Sequence, residues 1–270
     1  FKFWNCTMTD LNKICWICGN QADSAEHVLK RSDVSKFYQP TPKQNRDKVF
    51  FLKEQILLQL QSAKSKHIKY PNVLCAKCNN ETTQPFDIAY SEFINWYDNH
   101  KNDVERWRTI DFYDIWGAHW GLKQSLLFKY FAKAFGCRLS HENILVPEDV
   151  RQIISQDTWR SGLCVTFTWN YDLILVNSGH KIMISYPLKP VHLPNGDVGY
   201  IAGHTYDCLV ITYYYFTHSP FFDEHLGAPW SGNGRSVYLG WHSEKDEKKK
   251  MALIDSVLTS PSSKIIVPNL

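Results

Sequence analysis

Four cysteines, one glutamate, one histidine and two asparagines carry the chemistry that can be read in this chain. Cys15-Trp16-Ile17-Cys18 and Cys75-Ala76-Lys77-Cys78 are Cys-x-x-Cys knuckles. The two-residue gap lets both sulfurs of a knuckle face one ion, and four thiolates satisfy a tetrahedral Zn²⁺. A structural zinc ion held by Cys15, Cys18, Cys75 and Cys78 is therefore expected. Between the knuckles stands the pair Glu26-His27, and directly after the second stand Asn79 and Asn80 at the expected start of a helix. A neutral imidazole near pH 7 can take a proton from water. A carboxylate and an amide carbonyl offer the oxygen ligands that Mg²⁺ or Mn²⁺ prefers. Such a cation neutralises charge on a phosphodiester whose oxygens repel a nucleophile and whose alkoxide leaves poorly. A purely structural knuckle has no need of an ionisable pair at that point. Gln84 and Asp87, one and two helical turns further on, could reach the same ion or phosphate, or serve as solvated or capping residues.

The order Cys-x-x-Cys, acid–His, Cys-x-x-Cys-Asn resembles the HNH endonucleases, the ββα-metal nucleases with a zinc-stapled hairpin. The text that carries the resemblance is Cys15-Trp-Ile-Cys18-Gly, Ser24-Ala-Glu26-His27-Val and Leu74-Cys75-Ala-Lys-Cys78-Asn79-Asn80, within the first third of the chain. The resemblance implies His27 as general base, Glu26 as one ligand of a catalytic divalent cation and Asn79 as another, with Asn80 as its competitor. It implies double-stranded DNA as the partner, and a place in antiviral defence or a mobile element. The chain departs from the family in three ways. Lys30 stands where a proline is expected, the acid is Glu where Asp is commoner, and the insertion over 31–70 is longer than the motif needs. The alternative, from another class, is a zinc-stapled nucleic-acid-binding or protein-interaction module without hydrolytic activity.

The elements that must position these residues follow from periodicity. Over 48–65, Val49, Leu52, Ile56, Leu57 and Leu60 recur near helical spacing and predict an amphipathic helix inserted between the knuckles, with a basic end at Lys64, Lys66 and Lys69. A helix is expected to start close to Cys78, with Pro85 in its first turns and Phe86, Ala89, Tyr90, Phe93, Ile94 and Tyr97 on one face. The polar stretch 98–103 suggests a boundary between a nuclease domain over 1–100 and a second domain over 101–270. A helix over 122–135 is predicted to end at Gly136, a fitting residue just past a helix end, and a shorter one to begin at Pro147. Beyond it, segments 163–169, 173–176, 181–186 and 206–216 are rich in β-branched and aromatic residues, with turn signals at Asn177-Ser178-Gly179 and Asn195-Gly196. They read as an antiparallel β meander completed by 236–241, and the highly charged tail from Glu244 to Lys250 is expected to open a last helix. The class is α+β: a zinc-stapled domain, then helices, then a β-rich part for substrate or partner recognition.

Composition bounds the rest. With 270 residues, 44% of them hydrophobic and 14% aromatic, the chain can bury a substantial core. No run of about 18 apolar residues occurs, so no membrane span is expected. A net charge of +3 is too small by itself to prove a nucleic-acid partner, yet lysines and arginines outnumber acids between the knuckles. Of the eight cysteines, Cys6, Cys137, Cys164 and Cys208 lie in apolar surroundings and read as core thiols, which places the chain in a reducing cytoplasm.

Overall fold

The structure, a computed structural model, describes residues 14–37, 49–53, 56–156, 161–170, 181–193, 196–217, 227–241 and 264–266. Cys6, the expected strand over 173–176, the turn at Asn177-Ser178-Gly179 and the helix expected from Glu244 lie outside these residues. The strands are β1 (Val49–Lys53), β2 (Ile56–Gln59), β3 (Thr109–Asp111), β4 (Leu163–Trp169), β5 (Lys181–His192), β6 (Val198–Tyr206), β7 (Leu209–Tyr215), β8 (Ser236–Tyr238), β9 (Gly240–Trp241) and β10 (Lys264–Ile266). The α-helices are α1 (Arg31–Phe37), α2 (Gln84–Trp107), α3 (Phe112–Trp116), α4 (Trp120–His141) and α5 (Glu148–Ser155).

Eight strands form one sheet in the order β10-β2-β1-β5-β6-β7-β4-β9, and β3 pairs with β8 in a separate ribbon. Strands β5-β6-β7-β4 are antiparallel throughout, as expected for this region. Strand β6 is not among the expected strands, however, β4 pairs with β7, and 236–241 divides between the β3–β8 ribbon and a parallel pair with β4. The sheet as a whole is nevertheless mixed, because β1 runs parallel to β5 and β9 parallel to β4. The helix predicted over 48–65 is not formed: Val49-Phe50-Phe51-Leu52 and Ile56-Leu57-Leu58 pair as a hairpin, β1 with β2. Aromatic and β-branched residues favour the pleated surface, and these two runs find partner strands on both sides, β5 beyond β1 and β10 beyond β2.

Strand β4 is buried at every position, so both its faces are covered. Val165, Phe167 and Trp169 face α2 and α4, where Phe167 meets Phe93 and Phe131 at ring-centroid distances of 5.8 Å. The opposite face carries a smaller cluster of Cys164, Tyr214 and Phe216. Helix α2 opens with Pro85 in its first turn and closes at Arg108, which adopts the left-handed conformation at φ 52°. The stretch 98–103, expected to divide two domains, lies within α2 where that helix kinks at His100 (φ −120°), and one core cluster includes residues from both sides of it.

Helix α4 runs six residues past its predicted end at Phe135. Gly136 is inside it, not beyond it, and serves close packing: a Cβ there would lie 2.5 Å from Cζ2 of Trp16. Trp16 Nε1 also donates to Cys137 Sγ at 3.4 Å. The residue between the two cysteines of the first knuckle is thus seated directly on α4. No helix among the described residues is long and apolar enough to cross a membrane.

Candidate functional site

The two knuckles converge as their spacing predicts. The sulfurs of Cys15, Cys18, Cys75 and Cys78 all lie within 4.8 Å of one another, and all four residues are free thiols. Backbone geometry fixes each knuckle. Cys15 N–H donates to Asn20 O at 2.7 Å and Gly19 N–H to Cys15 O at 2.8 Å, a return that Gly19 makes at φ 77°. In the second knuckle, Cys78 N–H points at Cys75 Sγ at 3.4 Å, and Asp23 caps the turn by accepting from Ala76 N–H at 2.7 Å. Burial pushes the Cys15 and Cys78 thiols up. A divalent ion among them offsets that desolvation with its own charge and makes them thiolates. Four converging sulfurs with no carboxylate among them fit Zn²⁺ in a closed, structural site.

Beneath this centre two extended arms run antiparallel. Asp23 and Ser24 N–H donate to Leu74 O at 3.1 and 2.9 Å, Tyr70 N–H to Glu26 O at 2.7 Å, and Val28 N–H to Ile68 O at 2.8 Å. Glu26 and His27 lie on the first arm. The second arm leads through Cys75 into a π-helical turn over Cys78–Thr82 and then α2. Asn79, on that turn, reaches back to the first arm: its Nδ2 donates to Ser24 Oγ at 2.9 Å and to Ala25 O at 3.2 Å. Its carbonyl Oδ1 accepts no hydrogen bond among the described residues. Asn80 is exposed. Asn79 is thus tied to the arm that carries Glu26 and His27 and hydrogen-bonds to Glu26 itself, with the thiol cluster alongside.

The electrostatics of this patch are set by burial. His27 is half-buried, and its Nε2 is enclosed without a hydrogen-bond partner among the described residues. Burial, then the positive charges of Lys69, Arg31 and Lys133, lower its pKa to about 4, so the ring is neutral at pH 7. Burial raises the Glu26 carboxyl, while Lys133 and a hydrogen bond from Asn79 pull it back. Lys133 itself is 2% exposed and lies 3.3 Å from Glu26 Oε1 and 3.1 Å from Asp87 Oδ2. Burial alone would discharge this ammonium, but the two carboxylates reverse that and hold it charged. Lys30 completes the group, donating to the Asp87 carbonyl and, at 2.6 Å, to Ser91 Oγ, with its ammonium 5.5 Å from the centroid of the Tyr90 ring. Arg31, Lys64, Lys66, His67, Lys69 and Lys77, all within the chain's first third, are exposed.

Lys133 is the member that the sequence reading missed. The available signal was a lysine amid Leu127, Phe128, Phe131, Ala132 and Phe135, because a lysine on an apolar helical face is buried only against an acid. The chain matches no protein-family model, no curated protein and no solved structure.

Proposed function

We propose that this chain is an HNH-type endonuclease that hydrolyses phosphodiester bonds of DNA with His27 as general base, around a structural zinc ion. The observation that carries the reading is the placement of Glu26-His27 on an extended arm that Asn79 of the following helical turn holds by two hydrogen bonds, under four converged thiols. Antiparallel arms followed by a helix are what the ββα-metal arrangement requires. The side chains suited to a hard cation are Glu26 and Asn79 through Oδ1, with Asp87 nearby. Bound there, Mg²⁺ or Mn²⁺ would offset the charge that develops on the phosphorus oxygens and on the leaving oxygen.

The chain's own residues supply the rest. His27 is neutral at physiological pH and can accept the proton of a water whose oxygen bonds to phosphorus; its Nε2 is enclosed in the free chain, so the proton goes to Nδ1 or substrate binding first opens Nε2. The P–O bond to the sugar then breaks, and the departing oxygen takes a proton from solvent. Arg31 and Lys69, close enough to lower the His27 pKa, also present positive charge to a phosphate backbone. One observation favours the non-catalytic alternative: the Glu26 carboxylate already pairs with Lys133.

Plasmid nicking in Mg²⁺ or Mn²⁺ separates the two readings. His27→Ala, with its zinc content unchanged, is expected to lose about 10²–10⁴-fold in rate. Equal activity of the two proteins, or DNA binding without any cleavage in either, refutes the nuclease.

A further inference from the structure

The Lys133 ammonium has no part in the chemistry assigned above, yet it touches the acid of the Glu26-His27 pair. It comes from α4, more than a hundred residues beyond Glu26 in the chain, and is almost fully buried. A lysine at that depth persists only with counter-charges. Two separate elements provide them: Glu26 Oε1 at 3.3 Å from the first arm, and Asp87 Oδ1 and Oδ2 at 3.3 and 3.1 Å from α2. Lys30 is tied to the Asp87 carbonyl and to Ser91. Lys133 sits between the carboxylates of Glu26 and Asp87, and Lys30 feels both of them together with Asp33. A divalent cation approaching Glu26 therefore shares its carboxylate with an ammonium of like sign, which opposes binding. Mg²⁺ is in any case often held by one or two carboxylates together with substrate phosphates.

We propose that Lys133 is a positioning residue that competes with the divalent cation for Glu26, so that the cation is taken up effectively only when a substrate phosphate adds negative charge. Lys133 holds the acid beside His27 in the free protein and keeps the free protein's affinity for the cation low. The inference rests on the reading of Glu26 as a cation ligand.

The test is Mn²⁺ binding to the zinc-loaded full chain, read as free Mn²⁺ by electron paramagnetic resonance, without DNA. Lys133→Met and Lys133→Gln, which remove the charge, are expected to bind Mn²⁺ at least about tenfold more tightly than wild type, and Lys133→Arg to stay with wild type. Zinc content and circular dichroism establish that each variant is folded. Equal or weaker binding in the neutral variants overturns the proposal, as does no binding in any of the proteins. Binding by the neutral variants alone in this DNA-free assay also supports the competition, because the wild-type chain is then expected to take up the cation only with substrate. Nicking that depends on His27 but has the same Mn²⁺ midpoint with and without the Lys133 charge sinks the proposal and leaves the nuclease standing. A second measurement keeps the lysine in place: in His27→Ala, a duplex oligonucleotide should raise Mn²⁺ affinity at least about tenfold, and the absence of a rise also overturns the proposal.

Discussion

Gly136→Ala is expected to destabilise this protein although the same change inside a helix ordinarily helps. Replacing a mid-helix glycine with alanine gains about 0.5–1 kcal/mol from reduced backbone freedom in the unfolded chain and better helix propensity. At Gly136 the added methyl group would lie 2.5, 2.7 and 2.9 Å from Cζ2, Cη2 and Cε2 of Trp16. Carbon atoms in contact sit about 3.5–4.0 Å apart, so the overlap is about 1 Å, and it falls on a rigid ring that is itself buried. Overpacking of this kind costs about 1–3 kcal/mol. The net loss is then between about 0 and 2.5 kcal/mol, centred at about 1 kcal/mol, or up to about 10 °C in Tm for a chain of this size. Denaturant unfolding of the zinc-loaded protein reads the effect. Gly121→Ala, in the same helix with nothing within 4 Å of the new Cβ, is the control and should be neutral or stabilising. Trp16→Leu in the Gly136→Ala background should recover part of the loss by removing the clashing ring. Were Gly136→Ala more stable than wild type, the docking of the first knuckle on α4 would be wrong.

Arg138 offers a second check on the same helix. Its guanidinium donates to Tyr70 Oη at 3.0 Å, to Ser185 Oγ at 2.8 Å, to Gly203 O at 3.1 Å and to Tyr186 O, so Arg138→Leu should cost about 3–5 kcal/mol in chemical denaturation by stranding buried acceptors; a loss below about 1 kcal/mol would contradict that network. Acid should unfold the protein in part through its histidines. Burial lowers His27 to about 4 and His204 to about 3 from the ordinary 6.5, so below pH 6.5 the unfolded chain binds protons that the folded chain refuses. Their contribution is intact above pH 6.5 and is lost as pH falls toward 4. With His27 partly open to solvent, its share is about 1–3 kcal/mol, and His27→Gln should flatten the stability–pH slope between pH 6.5 and 4; an unchanged slope would refute the burial argument. The same shift places the acid limb of nicking that belongs to His27 near pH 4, and a His27-dependent midpoint at 6.5 would show a solvated ring instead.

Much of the site was legible because its residues lie close together along the chain or repeat a spacing with chemical meaning. The cysteine gaps at 15–18 and 75–78 have few uses other than a shared ion, and Asn79 was found by its place one residue after Cys78. Helix α2 was readable because Pro85 and the apolar face from Phe86 to Tyr97 point the same way. The hairpin β1–β2 was not, since Val49, Leu52, Ile56 and Leu60 match a helix while the aromatic and β-branched residues among them match a strand. What decided between them was β5, whose pairing partners begin at Lys181, far along the chain. Lys133 was hidden for the same reason: its acids are Glu26 and Asp87, and no local pattern joins the three. Gly136 was misjudged because a glycine that ends a helix and one that admits a tryptophan ring look alike until the ring is in place.

The parallel pairing of β1 with β5 makes the chain resist dissection. A fragment ending before the meander would carry Phe51 and Leu57, both buried in the full chain, on a two-stranded hairpin too small to stand alone. The complementary fragment would bare the β5 edge and invite stacking of one copy on another. Nor can this pair form until the ribosome has delivered both segments, so the front third must wait for the back half before its strands have a home.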